Sequence, residues 1–552
     1  MARNADRQWK GKGVTEQGLD APWWKTGVIY QIYPRSFQDS NGDGIGDLGG
    51  IRQRLDYLEW LGVAALWLSP IYESPMADFG YDVSDYTAID PMFGTIDDFD
   101  ELVAEAHARG LKIIMDFVPN HTSNLHRWFL EARSSRDNPK RDWYIWADPN
   151  ARGGPPNNWM GYFGGPAWTL DEKTGQYYLH NFLPEQPDLN YRNPEVKEAV
   201  WDDMRFWLDR GVDGFRLDVI DRMLKDPQLR NNPPNPDFVQ QRDNPTQALK
   251  RVYSEGAPGI HELIQEFQQV VKAYHNRVSI GEIQYFSDPE DMVPFYGESE
   301  SIELDLPFNF GLLLQHWNAE TVRNFVVAYD AIVPSWGWPN YVWGNHDQHR
   351  LASRVGGKAQ ARLAAMLLLT LRGTAFVYQG EELGMENVEI PQELVQDPQG
   401  KNMPGFTRDV TRTPMHWNAD VNAGFTTGKP WLPLSDEYPT FNVETERANP
   451  TSILSLYHAL LGYRKITPAL TMGALHPLDE QPDNAFLYVR EYPGERRLVA
   501  LNFSGEARTL NVGNLTPDHS GRVVLSTAMD REENADLMTL HLRGYEGVVV
   551  EL

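Results

Sequence analysis

Four short stretches of the chain end apolar runs in residues that do chemistry. "DFVPNH" supplies Asp116, Asn120 and His121; "GFRLDV" supplies Arg216 and Asp218; "GEI" supplies Glu282; "NHD" supplies His346 and Asp347. "GFRLDV" alternates like a strand, with Phe215, Leu217 and Val219 on one face and Arg216 and Asp218 on the other. An arginine two residues before an aspartate faces the same way, and charge pairing lowers the pKa of the acid. Scission of a glycosidic bond calls for this set. One ionised carboxylate attacks the anomeric carbon, and a second, still protonated, gives its proton to the leaving oxygen. Asp218 is expected to attack. Glu282, lying among other acids, is expected to have a raised pKa and to act as acid, then base. Asp347 is expected to hold sugar hydroxyls and oppose the positive charge of an oxocarbenium-like transition state. One strand-end aspartate is more often structural; three carboxylates converging with an arginine and two histidines reverse that reading.

Such residues must be held at one place by the elements that carry them. Short β-rich runs alternate with longer amphipathic segments. Strands are expected at "GVIYQIYPRSF" (27–37), "AALWLSP", "LKIIMDFVPNH", "DGFRLDV", "VSIGEI", "SIELDL" (301–306), "NYVWGNHD" and "TAFVYQGEE". Between them lie helix patterns such as 51–62, with Ile51, Leu55, Leu58 and Leu61 at helical spacing, and "DDFDELVAEAHARG", ended by Gly110. Eight strands in βα alternation predict an α/β (β/α)8 TIM barrel, in which the C-terminal strand ends form the site. The barrel is expected over 21–120 and 187–465. A small domain rich in Trp, Gly, Pro and Asn is inserted at 121–186, after the third strand, and a further Gly/Pro-rich insertion at about 381–435 follows the eighth. Short alternating runs from 466 to 552 predict a C-terminal antiparallel β-domain of sandwich type.

Bulk properties narrow the partners. The 552 residues carry 50 basic and 77 acidic side chains, a net charge of −27, which argues against nucleic acid and anionic membranes. There are no cysteines, so disulfides and thiolate metal sites are excluded. The first 18 residues hold no apolar leader and no run is long enough to span a bilayer, so a cytoplasmic protein is expected, as a monomer or homodimer. The 18 Trp, 24 Tyr and 23 Phe are compatible with stacking on sugar rings.

In combination and order, "WWKTGVIYQIYPRSFQDSNGDGIGDLGGI", "DFVPNH", "QPDLN", "GFRLDV", "GEI", "NHD" and "RDVTRTPMHW" are specific. The sequence resembles, over nearly its whole length, the α-amylase superfamily (glycoside hydrolase family 13), in particular exo-acting α-glucosidases of the oligo-1,6-glucosidase type. The resemblance implies a retaining mechanism with Asp218 as nucleophile, Glu282 as acid/base and Asp347 as transition-state stabiliser. It implies that His121 and His346 bond the terminal sugar and that Arg216 orients the nucleophile. Asp78 and Tyr81 match the acid and ring that grip that sugar, Arg408 matches the partner of the acid, and Phe163, Phe182 and Gln186 match pocket-lining positions. Asp78 with Arg408 would close the pocket and make the enzyme exo-acting on small α-glucosides, with some transglucosylation. In similar enzymes a valine after the nucleophile, here Val219, accompanies α-1,6 cleavage, which favours isomaltose-type substrates with maltose, sucrose and trehalose as further candidates. A glucosyltransferase or sugar isomerase on the same scaffold is the alternative. A non-catalytic relative is remote, since that reading predicts a membrane segment and eroded carboxylates.

The stretch "DSNGDGIGD" (39–47) alternates Asp39, Asn41 and Asp43, then offers the carbonyl of Ile45 and Asp47. These oxygens suit Ca2+, and less well Mg2+, although Gly50 stands where an EF-hand would have glutamate. An Asx-rich turn without an ion is the structural alternative. Similar enzymes hold a structural calcium in this loop. No organic cofactor is expected.

Overall fold

The computed structural model describes residues 21–240, 244–283, 286 and 288–552. The N-terminal stretch read for a leader lies outside the described residues. Eight parallel strands form one sheet: β1 Val28–Ile32, β2 Ala65–Leu68, β3 Lys112–Phe117, β4 Gly214–Leu217, β5 Val278–Glu282, β6 Leu306–Phe308, β7 Asn340–Val342 and β8 Thr374–Tyr378. Their order is β6-β5-β4-β3-β2-β1-β8-β7, with every pairing parallel. The alternation of side chains along these strands sorts the two faces. Outward residues such as Tyr30, Leu66, Ile113 and Phe215 join the large core beneath the helices. Inward residues Ile29, Trp67, Ile114, Ile280, Phe308, Val342 and Phe376 fill the barrel. Two residues further along the same inner face, at the C-terminal ends, stand Gln31, Asp116 and Glu282, with Arg216 two beyond Gly214. The apolar plug thus gives way to a polar layer where a site belongs.

The seam between β6 and β7 is closed by side chains. Asn340 Nδ2 donates to the Pro307 carbonyl at 2.7 Å, its Oδ1 accepts the Asn309 N–H at 3.0 Å, and Asn309 Nδ2 donates to the Asn340 carbonyl at 3.2 Å.

Three expectations shift. The sixth strand is not 301–306: Ser301–Ile302 pairs antiparallel with Gly297–Glu298, and the barrel strand begins at Leu306. The helix pattern over 51–62 breaks at Arg54 into Leu48–Gln53 and Leu55–Leu61. The strand "GFRLDV" ends at Leu217, and Val219 leaves it in a left-handed turn, φ 40° and ψ 44°.

Between β3 and β4 the chain forms a three-stranded antiparallel sheet, Trp146–Ala147, Gln176–Leu179 and Trp168–Asp171, over a small core of Trp159, Ala167, Trp168 and Leu179. Beyond the helix Ile453–Lys465, a six-stranded antiparallel sheet runs from Ala474–Pro477 to Gly547–Glu551. One face has its own core, including Leu487, Leu498, Val523 and Val548. The other is tied to the barrel through Arg490, whose Nη1 donates to the Thr370 carbonyl at the end of the helix Lys358–Thr370.

Asn340→Ala removes both seam bonds of a fully buried side chain and leaves a buried N–H and carbonyl unpaired. It is expected to destabilise the fold by about 2–4 kcal/mol, read as an earlier midpoint in urea; an unchanged midpoint would contradict the seam role.

Candidate active site

At the barrel mouth one guanidinium gathers the acids. Arg216 is fully buried. Its Nη1 donates to Asp218 Oδ1 at 2.7 Å and Asp116 Oδ1 at 2.8 Å, and its Nη2 to Glu282 Oε2. The strand register produces this: Arg216 lies level with Asp116 on β3 and Ile280 on β5, so Glu282, two residues on from Ile280, comes within reach. The Trp67 ring stands 5.2 Å from the guanidinium and its Nε1 donates to Asp116 Oδ2 at 3.2 Å. Asp218 follows the strand but its N–H still bonds the Phe117 carbonyl at 2.8 Å.

The charge balance corrects an expectation. Arg216 does not leave Asp218 with a lowered pKa. Burial has the largest influence, and with the nearby carboxylates of Glu282 and Asp116 it pushes the Asp218 carboxyl well above the usual range, against the pull of Arg216. Three acids share one cation, and a side-chain hydrogen bond with Glu282 adds to the rise of the Asp218 carboxyl. Burial likewise lifts Asp116 to about 6 despite Arg216.

Asp347 is set apart. Burial alone would raise its carboxyl, but interaction with His346 and with the guanidinium groups of Arg408 and Arg412 holds it well below the usual range. Its Oδ1 accepts from Arg412 Nη2 at 2.8 Å and Arg408 Nη1 at 3.1 Å. Burial lowers His346 to about 3 and His121 to about 4, so both are neutral donors and acceptors near pH 7. His346 Nδ1 lies 2.8 Å from Gln31 Nε2, which donates to it; its Nε2 then donates to the Tyr81 hydroxyl at 2.8 Å, and Tyr81 donates to Asp116 Oδ2 at 3.0 Å. The His346 ring stacks between Tyr81 and Tyr33, at 5.4 and 5.6 Å. His121 takes its Nδ1 bond from Asn120 and gives Nε2–H to the Tyr81 carbonyl.

The remaining wall comes from long connections. Arg408 Nη2 donates to Asp78 Oδ1 at 2.8 Å and to Asp397 Oδ1 at 2.7 Å, and its guanidinium lies 4.6 Å from the Phe163 ring. Gln186 Nε2 donates to Asp78 Oδ2 at 3.2 Å. One cavity of about 800 Å³, counting the solvent at its mouth, is lined by Asp78, Tyr81, His121, Phe163, Phe182, Gln186, Asp218, Val219, Glu282, His346, Asp347 and Arg408. Of the residues given a catalytic or substrate-binding role from sequence, Arg216 alone is not in that lining; it lies behind the acids, as does Asp116, and Asn120 instead bonds His121.

Sequence reasoning passed over Arg412, Asp397, Tyr33, Tyr162 and Arg222. Arg412 was within reach, as the second arginine of "RDVTRTP". Asp397, which fixes Arg408, sits in a Pro/Gly-rich segment without a local signal.

The 39–47 loop lies against segment 425–431. Asp39 accepts from the N–H groups of Asn41, Gly42 and Gly44 and from Thr426 Oγ1. Asn41 and Asp43 cap the amides two residues on, and Asp47 caps the helix Leu48–Gln53. Gly44 sits at φ +94°, with the Lys429 carbonyl where a Cβ would be. Among the described residues no three His, Asp or Glu side chains are clustered to hold a metal; the three carboxylates of the loop, Asp39, Asp43 and Asp47, accept from backbone amides.

An eight-stranded parallel barrel with paired acids on one cation in a sugar-sized hollow defines a glycoside hydrolase of barrel type. Residues 31–473 match the family described as "Alpha amylase, catalytic domain", and this chain belongs to that family. It is 42% identical to a probable alpha-glucosidase of Rhizobium meliloti (strain 1021), over 89% of this chain and 91% of the relative. It is 38% identical to an oligo-1,6-glucosidase of Parageobacillus thermoglucosidasius, over 97% of this chain and all of the relative. A solved alpha-glucosyl transfer enzyme superposes with a TM-score of 0.90 at 42% identity, covering 96% of this chain and 99% of that one. Among the described residues no helix is long and apolar enough to cross a membrane.

Asp116→Asn removes a negative charge facing Asp218, so Asp218 ionises more easily. The acid limb of the pH–activity profile is expected to move about 1 unit lower; a limb that stays or moves up would contradict the shared-charge account.

Proposed function

We propose that this enzyme is a retaining, exo-acting α-glucosidase that removes the terminal non-reducing glucosyl residue of small neutral α-glucosides. The observation that carries the reading is the Asp218–Glu282 pair bridged by Arg216 beside a cavity bounded by the Asp78–Arg408 ion pair. Two carboxyls within hydrogen-bonding reach of each other are nearer the ~5–5.5 Å spacing of retaining enzymes than the ~6.5–9.5 Å of inverting ones. In the first half-reaction Asp218 Oδ attacks the anomeric carbon, the bond to the leaving oxygen breaks, and Glu282 gives that oxygen its proton. In the second, Glu282 takes a proton from water, which attacks the same carbon and frees Asp218. Substrate entering between the acids separates their mutual bond and leaves the proton on Glu282, facing the leaving oxygen. Asp347, kept ionised by Arg408 and Arg412, opposes the developing positive charge and binds hydroxyls, and the neutral rings of His121 and His346 line the terminal sugar's pocket. Asp78 with Arg408 bounds the pocket behind the terminal sugar.

Isomaltose and isomaltooligosaccharides are the favoured substrates, supported by Val219 in the cavity wall and by the oligo-1,6-glucosidase relatives. A side chain at that wall discriminates linkages by only ~1–3 kcal/mol, so maltose, sucrose and trehalose fall within range. The likeness to a glucosyl transfer enzyme favours a second outcome on the same glucosyl-enzyme, in which an acceptor hydroxyl replaces water. We also assign a structural Ca2+ to the 39–47 loop, held by Asp39, Asn41, Asp43, the Ile45 carbonyl and Asp47. An all-oxygen donor set fits a hard cation, which would brace this loop and takes no part in the chemistry.

Asp218→Asn is expected to keep the fold by circular dichroism and to lower turnover of p-nitrophenyl α-glucoside by at least about 10⁴-fold. A product time course on isomaltose, maltose, sucrose and trehalose reads hydrolysis against transfer, and activity surviving the substitution would refute the nucleophile. Excess EDTA is expected to lower the melting temperature; an unchanged melt with no metal found by elemental analysis would remove the calcium assignment.

A further inference from the structure

Arg222 stands on the wall of the same cavity as Asp218 and Glu282, four residues after Asp218, in the short turn Ile220–Arg222 that follows Val219. It is 5% exposed. The other arginines of the site each donate at least one Nη–H to a carboxylate about 3 Å away, although Arg216 Nε is also unpaired. Arg222 does not: its Nε is 3.7 Å from Asp221 Oδ1 and 3.8 Å from Glu255 Oε2, beyond hydrogen-bond range. That Nε is buried with no hydrogen-bond partner among the described residues. A buried donor without an acceptor is costly, and at the edge of a substrate cavity it points to a ligand.

The wall around it is built independently. The Tyr162 hydroxyl donates to Glu255 Oε2 at 2.5 Å. Arg251 Nη1 donates to the Met160 carbonyl at 2.9 Å, with its guanidinium 3.7 Å from the Tyr162 ring. Tyr162 stacks on Phe182 at 5.1 Å. Segments 160–163 and 251–255 are thus joined without any hydrogen bond from Arg222, whose guanidinium rests 4.3 Å from the Tyr162 ring.

We propose that Arg222 is a specificity-determining residue for the leaving-group side of the cavity, its guanidinium donating to hydroxyl oxygens of a neutral sugar. The inference rests on the glucosidase reading, in which Asp78 and Arg408 hold the terminal glucosyl residue and Glu282 faces the leaving oxygen. Asp221 Oδ1 and Glu255 Oε2 flank the guanidinium at 3.7 and 3.8 Å and already balance its charge, so it has no call for an anionic ligand. A neutral hydroxyl supplies the acceptor that its Nε lacks.

The test compares kcat/KM for isomaltose with kcat/KM for p-nitrophenyl α-glucoside, whose leaving group has no sugar hydroxyls. In Arg222→Met the ratio of the two is expected to fall roughly 10- to 100-fold, and Arg222→Lys is expected to recover part of it. Arg222→Gln reads the same ratio should the methionine variant not fold. Equal losses on both substrates, or a ratio within about twofold of the original, overturn the proposal. So does a preference for a 6-phosphorylated disaccharide over isomaltose that is lost with Arg222. An unsubstituted enzyme inactive on both glucosides overturns instead the glucosidase reading, and the two failures are therefore distinct.

Discussion

The site depends on one buried guanidinium divided among acids from three adjacent strands. Placing Arg216 and the carboxylates of Asp116, Asp218 and Glu282 out of water is costly, and removing any one partner leaves charge uncompensated. The barrel makes the arrangement tenable. Parallel register brings the strands level, the Trp67 ring lies 5.2 Å from the cation, and the apolar layer of Ile29, Ile114, Ile280 and Phe376 keeps water out from below. With three acids to one cation, burial and mutual repulsion hold the Asp218 and Asp116 carboxyls above their usual range. A proton donor close to a carboxylate is what cleavage of an acetal requires.

Much of this was legible in the sequence. The eight alternating runs gave the barrel, and polar residues at their ends gave the acids, the histidines and the arginine. What could not be read was the sign of the charge balance. Spacing shows that Arg216 and Asp218 share a face, but the acids that compete for the arginine come from β3 and β5, about 100 residues before it and 66 after. Burial depends on the whole barrel. The sixth strand was misplaced for a similar reason: Leu306–Phe308 is only three residues long, too short to carry a period, and the better local pattern lies in the hairpin before it.

The inner layer of the site is rigid sheet and the outer wall is long connection. Arg408, Arg412 and Asp397 come from the segment after β8, and Phe163, Phe182 and Gln186 from the chain between β3 and β4. These connections meet across the mouth, since Arg408 touches both Asp78 and the Phe163 ring. Loops on a fixed scaffold can change which sugar fits while the acids stay in register. Asp397 shows how such a wall is made stiff. Its carboxylate accepts both the backbone N–H and the side chain of Arg408, so the arginine is fixed before any sugar arrives.

The turn after β4 links the two layers. Asp218 is still aligned by the ladder through its bond to Phe117, yet its carboxyl must face the cavity, so the chain has to leave the sheet at the next residue. Val219 does so with φ 40°, a conformation that a β-branched side chain adopts only at a cost of about 1–3 kcal/mol. Neighbouring packing maintains that strain: Ile220 is wholly buried in the outer core and Asp218 is pinned by Arg216. A glycine would relieve it, but would also free the carboxyl that the turn aims and take away the apolar side chain that lines the cavity. The same turn carries Arg222 round to the cavity wall. One strained residue thus fixes both the direction of the Asp218 carboxyl and the position of the Arg222 cation.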